Sequence, residues 1–320
     1  MIVHFILSGE TLESISEEIN LENPKYLKEF HNKHCAREDF IHDDLIPRKK
    51  LLIPDINKIK EYNSRNDAPF KNPKLNPDIP FHPGNFSKIY SVVNKEIYEN
   101  QLEKKHTILT YTVSVKWMRN ENGFHIFHLF KNNFSDGQGN MMVDLASESI
   151  RSLNPLEVKT DLKGNVVSIS LTQQTADNFA KIKKRLADLF PDQYANIYLN
   201  EFERAVQNRD IFNSRMKNDV FIKNYFAALR QPFENGKSFL QQTIGEENMT
   251  IQLQQKIENA EYNEEMVVLQ TASMPENDLD FSGKYSLYKK TGLVKSVDIS
   301  YAISQFGVKN SSFFTVTEMS

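Results

Sequence analysis

The sequence predicts an α+β chain in two parts: a small strand–helix–helix–strand (βααβ) module, joined by a proline-rich linker to a curved antiparallel β-sheet domain with packed helices. Three observations carry this. Residues 1–54 show an apolar run, two helical spacings and a second apolar run that ends at Pro54. Residues 55–86 gather Pro69, Pro73, Pro77, Pro80 and Pro83 among Asn, Asp and Lys. Residues 87–320 show repeated period-two alternation, interrupted by helical patterns at 173–229.

In the first part, Ile2-Val3-His4-Phe5-Ile6-Leu7 reads as a short strand, broken at Ser8-Gly9. Thr11 is placed to cap a helix on which Leu12, Ile15 and Ile19 share one face. A second helix is expected over 25–33 with Leu27 and Phe30 inward. After a polar loop, Lys50-Leu51-Leu52-Ile53 forms the closing strand.

These residues resemble a known family. The run from Phe5 to Ile15, FILSGETLESI, is similar to the opening of a LysM module. Leu27-Lys28-Glu29-Phe30-His31-Asn32 is similar to its second helix, and Leu51-Leu52-Ile53-Pro54 to its closing strand. Glu10 stands where the family usually carries Asp, and the segment 35–48 is longer and more charged than the usual loop. The resemblance implies a groove for N-acetylglucosamine chains, with Ser8, Gly9, Glu10 and Thr11 as one wall and Leu52 and Ile53 at the other. Such a groove needs open backbone groups and apolar surface for the sugar face. Read locally, Gly9 is a turn glycine and Thr11 a helix cap. The family also includes modules that serve as scaffolds in phage tails and contractile injection machines, including type VI secretion.

The linker, 55–86, combines prolines that favour extended backbone with Phe70, Leu75, Ile79, Phe81 and Phe86. So many apolar residues imply that part of it docks.

The remainder is expected to open with a helix over 86–101, with Ile89, Val92, Val93 and Ile97 inward. Leu109, Tyr111, Val113, Val115 and Trp117 then alternate with polar residues. A turn at 120–123 leads to a returning strand, 124–131. A helix over 141–153 ends at Asn154-Pro155, and a hairpin turns at 161–164. Three helices follow, about 173–190, 194–208 and 210–229. Strands return at 249–257, 266–271, 284–289, 293–303 and 312–317. Strands, then helices, then strands suggest α+β rather than a parallel sheet. The pattern resembles the half-barrel of lipoprotein-carrier proteins, a likeness of fold that implies no function.

Composition narrows the classes. Charged residues make up 25% and hydrophobic ones 39% of 320 residues, as in ordinary soluble chains. A net charge of -3 disfavours a nucleic-acid partner. One cysteine, Cys35, excludes an internal disulfide framework. The apolar start is too short for a signal peptide, and no stretch approaches the ~20 apolar residues of a spanning helix. The chain is therefore expected in the cytoplasm, with any delivery outside proceeding without a signal peptide.

Motifs of chemistry are missing from the sequence. It has no phosphate loop, nucleophile elbow or zinc-protease helix. Residues 136–140, DGQGN, have calcium-like character without EF-hand spacing. His31, His34, Cys35 and His42 are zinc-type ligands by residue type. The histidines His31 and His34 equally suit a helix C-terminus, whose dipole favours positive charge. His125 and His128 lie on opposite faces of a strand, and Trp117 is expected in the core. The pairs Asp43-Asp44 and Glu246-Glu247 read as solvated loop charge. No cofactor is expected.

Two functions follow as expectations. The first is a non-enzymatic adaptor of a contractile injection apparatus: the amino-terminal module docks on a spike or hub protein, and the larger domain recognises a cargo or effector, as a chaperone surface does. The alternative is a peptidoglycan-binding protein that holds N-acetylglucosamine in the groove at residues 8–11 and 52–53.

Overall fold

The computed structural model describes residues 2–42, 44–72, 75–137, 139–245, 249–258, 264–273 and 279–319. The chain forms two compact units. One comprises 1–77 with 233–236, and the other 78–232 with 237–320.

In the smaller unit, β1 (Ile2–Phe5) pairs antiparallel with β2 (Lys50–Ile53), Val3 facing Leu52 and Phe5 facing Lys50. Between them lie α1 (Leu12–Glu18) and α2 (Lys25–His34), and α3 (Ile56–Asn63) follows β2. Thr11 caps α1 through its hydroxyl, which accepts from Ser14 N–H at 3.1 Å. The core is built from Ile6, Ile15, Leu27, Phe30, Leu51 and Ile59. Tyr62 on α3 stacks on Tyr26 of α2 at 4.6 Å, and the Arg65 guanidinium lies 4.7 Å above the Tyr26 ring. Residues 233–236 join this unit, Gly236 N–H donating to Leu75 O.

The larger unit contains β3 (Ser87–Glu99), β4 (Lys104–Glu121), β5 (Phe124–Ser135), α4 (Met141–Ser152), β6 (Leu156–Thr160) and β7 (Val166–Leu171). A helical run follows: α5 (Gln173–Asp177), α6 (Phe179–Leu189), α7 (Gln193–Gln207), α8 (Arg209–Lys217) and α9 (Val220–Tyr225). The strands β8 (Ser238–Ile244), β9 (Met249–Glu258), β10 (Glu265–Ala272), β11 (Leu279–Tyr288), β12 (Val294–Gln305) and β13 (Val308–Glu318) complete it. Among the described residues these strands form one antiparallel sheet of eleven, in the order β7-β6-β5-β4-β3-β13-β12-β11-β10-β9-β8.

The sheet is curved, and the contacts of α9 show it. The Phe226 ring, at the end of α9, meets Phe127 of β5 at 5.4 Å. Asn224 accepts from the Gln242 side chain of β8 at 2.9 Å. Eight strand spacings separate β5 from β8, roughly 38 Å if the sheet were flat. A six-residue helix is only about 9 Å long, so the sheet must wrap around it. Tyr90 of β3 and Tyr285 of β11 fill the space between, their hydroxyls donating to Val294 O and Asn224 O. Burial raises the pKa of both phenols. On the β7 edge, the Asn213 side chain of α8 accepts from Ile169 N–H, which ties up a strand edge that would otherwise be open. A second small core joins α4, α6 and α7 through Leu145, Leu186, Ala195 and Leu199.

This architecture corrects the expected fold class. A LysM βααβ module and a linker are not what the chain is built on, and no LysM domain is shown. Most of the chain is the large curved sheet, and the amino-terminal unit runs past its second strand into α3. The expected helix at 86–101 is also corrected. It is β3, with Tyr90 and Val92 fully buried on one face. Trp117 is half-buried rather than central. Asp43, Gln138 and the pair Glu246-Glu247 lie outside the described residues. Among the described residues, no helix is long and apolar enough to cross a membrane.

Candidate functional site

The residues expected to line a groove form a self-satisfied turn. Gly9 takes φ +90°, which lets the chain reverse after β1, and a Cβ there would meet nothing within 4 Å. The Glu10 carboxylate accepts from Leu7 N–H at 2.7 Å and pairs with His4 Nε2 at 2.8 Å. These bonds, the His4 bond first, hold its pKa below the usual carboxylate value. Thr11 N–H donates to Ser14 Oγ at 2.9 Å while Thr11 Oγ1 accepts from Ser14 N–H. The turn therefore spends the amides of Leu7 and Thr11 on itself. Ser8 and Gly9 stay exposed. Across the strand pair, Ile53 belongs to the core and Leu52 is half-buried, its N–H donating to His31 Nδ1 at 3.0 Å.

That last bond fixes how β1 is presented. Leu52 N–H points away from β1, so Val3 and Leu52 form a non-hydrogen-bonded pair, and Phe5 with Lys50 does likewise. The main-chain groups of Val3 and Phe5 therefore face the open side of β1. Their side chains and that of Leu7 lie on the outward face, 49%, 58% and 63% exposed. Glu10 closes the far end of this edge by holding Leu7 N–H. The result, among the described residues, is a short strand with an unpaired edge and an apolar outer face, the geometry that strand addition by a partner uses.

Sequence reasoning missed this face. Five of the six residues from Ile2 to Leu7 are apolar, so alternation does not choose a side. Only the packing of α1 and α2 on the Ile6 side leaves Val3, Phe5 and Leu7 out.

The expected metal-type residues have other partners. Buried His31 accepts from Leu52 N–H at Nδ1, so its Nε2–H donates to Asp39 O at 2.9 Å. His34 Nδ1 bonds Phe30 O at 2.7 Å, and its ring packs on Phe30. Burial, with Asp39 nearby, raises the Cys35 thiol pKa. Among the described residues no three His, Cys, Asp or Glu groups converge to hold a metal.

The larger unit has an open groove of about 640 Å³ between the end of β5, α4 and α6, with Phe134, Leu189 and Phe190 on its apolar side. Three of its charged residues, Glu148, Arg151 and Arg185, are bound to one another. Glu148 lies 2.6 Å from Arg151 and 3.2 Å from Arg185, and Arg185 donates to Ser152 Oγ.

No family model matches the sequence, and no curated protein matches it. Among solved structures, lipovitellin, studied for its lipid–protein interactions, is similar over 75% of this chain. The identity is 13% and the TM-score 0.42. The chain spans about a quarter of lipovitellin, 25% of its length. A domain from Vibrio parahaemolyticus classed as an outer membrane lipoprotein-sorting protein is 8% identical, with a TM-score of 0.20, covering 73% of this chain and 86% of that one. The Pseudomonas aeruginosa MucA/MucB complex gives 12% identity and a TM-score of 0.18, covering 71% of this chain and 52% of that one. At these TM-scores, likeness assigns neither a family nor a function to the chain.

Proposed function

We propose that the chain is a binding and adaptor protein without chemistry of its own. Its amino-terminal unit docks on a protein of a contractile injection apparatus, a spike or hub component, and its larger unit recognises a cargo or effector. The observation that carries the docking step is β1, with Val3, Phe5 and Leu7 outward and the Val3 and Phe5 main chain facing an open edge. A partner strand added there gains main-chain hydrogen bonds and an apolar contact at once. The choice of apparatus rests on the sequence resemblance of Phe5 to Ile15 alone, and the fold does not carry it. The glycan alternative is less well supported, because the Glu10 and Thr11 amides of the expected groove are already bonded within the turn.

The test is binding of the full chain to purified spike and hub proteins, with cell-wall sacculi as a parallel arm. Phe5→Lys is expected to weaken protein binding by tenfold or more, on the scale of about 1.5–3 kcal/mol for a large apolar side chain. Phe5→Pro removes the outward N–H and should weaken it as well. Retention on sacculi with no spike or hub binding would overturn the proposal in favour of the glycan reading.

A further inference from the structure

Three turns in this chain share one backbone geometry. Residues 122–123 take φ +52° and +80°, residues 235–236 take +52° and +81°, and residues 306–307 take +51° and +78°. Two positive φ values in succession are what a type I′ turn requires, and Asn-Gly is its preferred pair. The first two turns are Asn122-Gly123 and Asn235-Gly236. The third is Phe306-Gly307, the two-residue turn between β12 and β13, where Gln305 pairs with Val308. A bulky side chain is disfavoured at positive φ. Among the described residues Phe306 gains no packing in return, since it is fully exposed at 103%.

A second apolar side chain stands beside it. In the order β4-β3-β13-β12, Glu99 of β3 pairs with Lys104 on one side and Lys309 on the other, and Lys309 pairs with Ser304. Both hairpin tips lie just beyond this row, about 10 Å apart by strand spacing. The β3–β4 tip carries Leu102, 95% exposed. Its position is built in, because the Asn100 side chain accepts from both Leu102 N–H and Glu103 N–H at 2.8 Å. Behind the tips, among the described residues, Lys104 pairs with Glu99 at 2.7 Å and Lys105 with Glu103 at 2.9 Å, and the exposed Lys309 stands beside Glu99, which leaves one cation in excess.

We infer that these paired tips are a lipid-surface anchor: Phe306 and Leu102 enter the interfacial layer of a bilayer while the lysines behind them meet anionic headgroups. The occupant follows from shape and charge. Each apolar side chain projects singly from a tip, and the row behind is charged, so no flat apolar area is offered to a protein. Lysines set just behind apolar residues can keep their ammonium groups at the headgroups while their stems lie along the layer.

The experiment is flotation of the full chain with phosphatidylcholine vesicles, with and without phosphatidylglycerol. Wild type is expected to float with the mixed vesicles and to be released by high salt. Phe306→Asn restores the preferred turn pair, so it is expected to fold at least as stably, shown by an equal or higher Tm. It should nevertheless lose vesicle binding about tenfold, the scale of one large apolar side chain. Leu102→Asn should weaken binding in the same direction. Wild type that does not float, or Phe306→Asn that floats as well as wild type, overturns the inference. So does a dimer that Phe306→Asn dissolves in the absence of vesicle binding, which would make the tips a protein contact.

Discussion

Lys131 reaches from β5 into the core to pair with Asp219, whose carboxylate also caps α9. The Lys131 side chain is 3% exposed, and one Asp219 oxygen pairs with it while the other accepts from Ile222 N–H at 3.1 Å. The ammonium also lies over the rings of Tyr111 and Phe221. One carboxylate thus joins the sheet to the helix it wraps around. Asp219→Asn keeps a capping oxygen but leaves a buried ammonium without its counter-charge. Removing one partner of a buried pair costs about 3–5 kcal/mol. Lys131→Met should cost less, since Asp219 is partly solvated. Urea denaturation of the two variants checks the ranking, and equal losses would contradict it.

Arg230 makes a comparable join elsewhere in the larger unit. It donates to Pro80 O at 2.9 Å, Lys163 O at 3.1 Å and Gly292 O, and it stacks on Phe81 at 4.4 Å. Burial lowers its pKa to about 10. Gly292 sits at φ +66°, where a Cβ would lie 1.8 Å from Pro80 O. Gly292→Ala is therefore expected to cost more than about 4 kcal/mol. Gly123→Ala meets nothing within 4 Å and should cost only the positive-φ strain, about 1–2 kcal/mol. Denaturant midpoints of the two variants measure the gap.

The sequence was legible where one face of an element is clearly buried and its turn chemistry is explicit. Leu109 to Trp117 alternate, and Asn122-Gly123 reverses the chain, so the β4–β5 hairpin can be read directly. The stretch 86–101 misleads because Tyr90 and Val92 point to the core while Ile89, Val93 and Ile97 lie on the other face. Apolar residues at both parities fit a helical spacing as well as a strand. Its richness in β-branched residues was the signal for a strand. In the amino-terminal unit the local roles of Gly9 and Thr11 are readable, but the outward face of β1 depends on which side the helices pack. The tip at Phe306 was hidden because phenylalanine carries no turn signal; only the strand register exposes it.

His31 holds the amino-terminal unit together through both ring nitrogens, to Leu52 N–H and Asp39 O. His31→Ala leaves the Leu52 amide without its partner beside the core, a loss of about 1–3 kcal/mol. His31→Gln offers an acceptor and a donor and should recover part of it. Added zinc should leave the wild-type Tm unchanged, because Nδ1 is occupied. A clear zinc-dependent rise that His31→Gln abolishes would show that this residue is a ligand instead.

Acid sensitivity should trace partly to His125. Its Nδ1 accepts from Trp117 Nε1–H at 3.2 Å, and the Phe81 ring meets its imidazole edge-on at 5.4 Å. Burial lowers its pKa from the ordinary 6.5, with His82 adding in the same direction and Asp161 opposing. As pH falls through 6.5, the unfolded chain takes up a proton that the folded chain resists, so stability falls with pH from there down to the folded pKa. Above 6.5 both states are neutral at this residue and it adds no pH dependence. His125→Gln keeps an acceptor for Trp117 and cannot titrate. Urea midpoints taken above and below 6.5 should therefore drop less in this variant than in wild type; equal drops would remove His125 from the account.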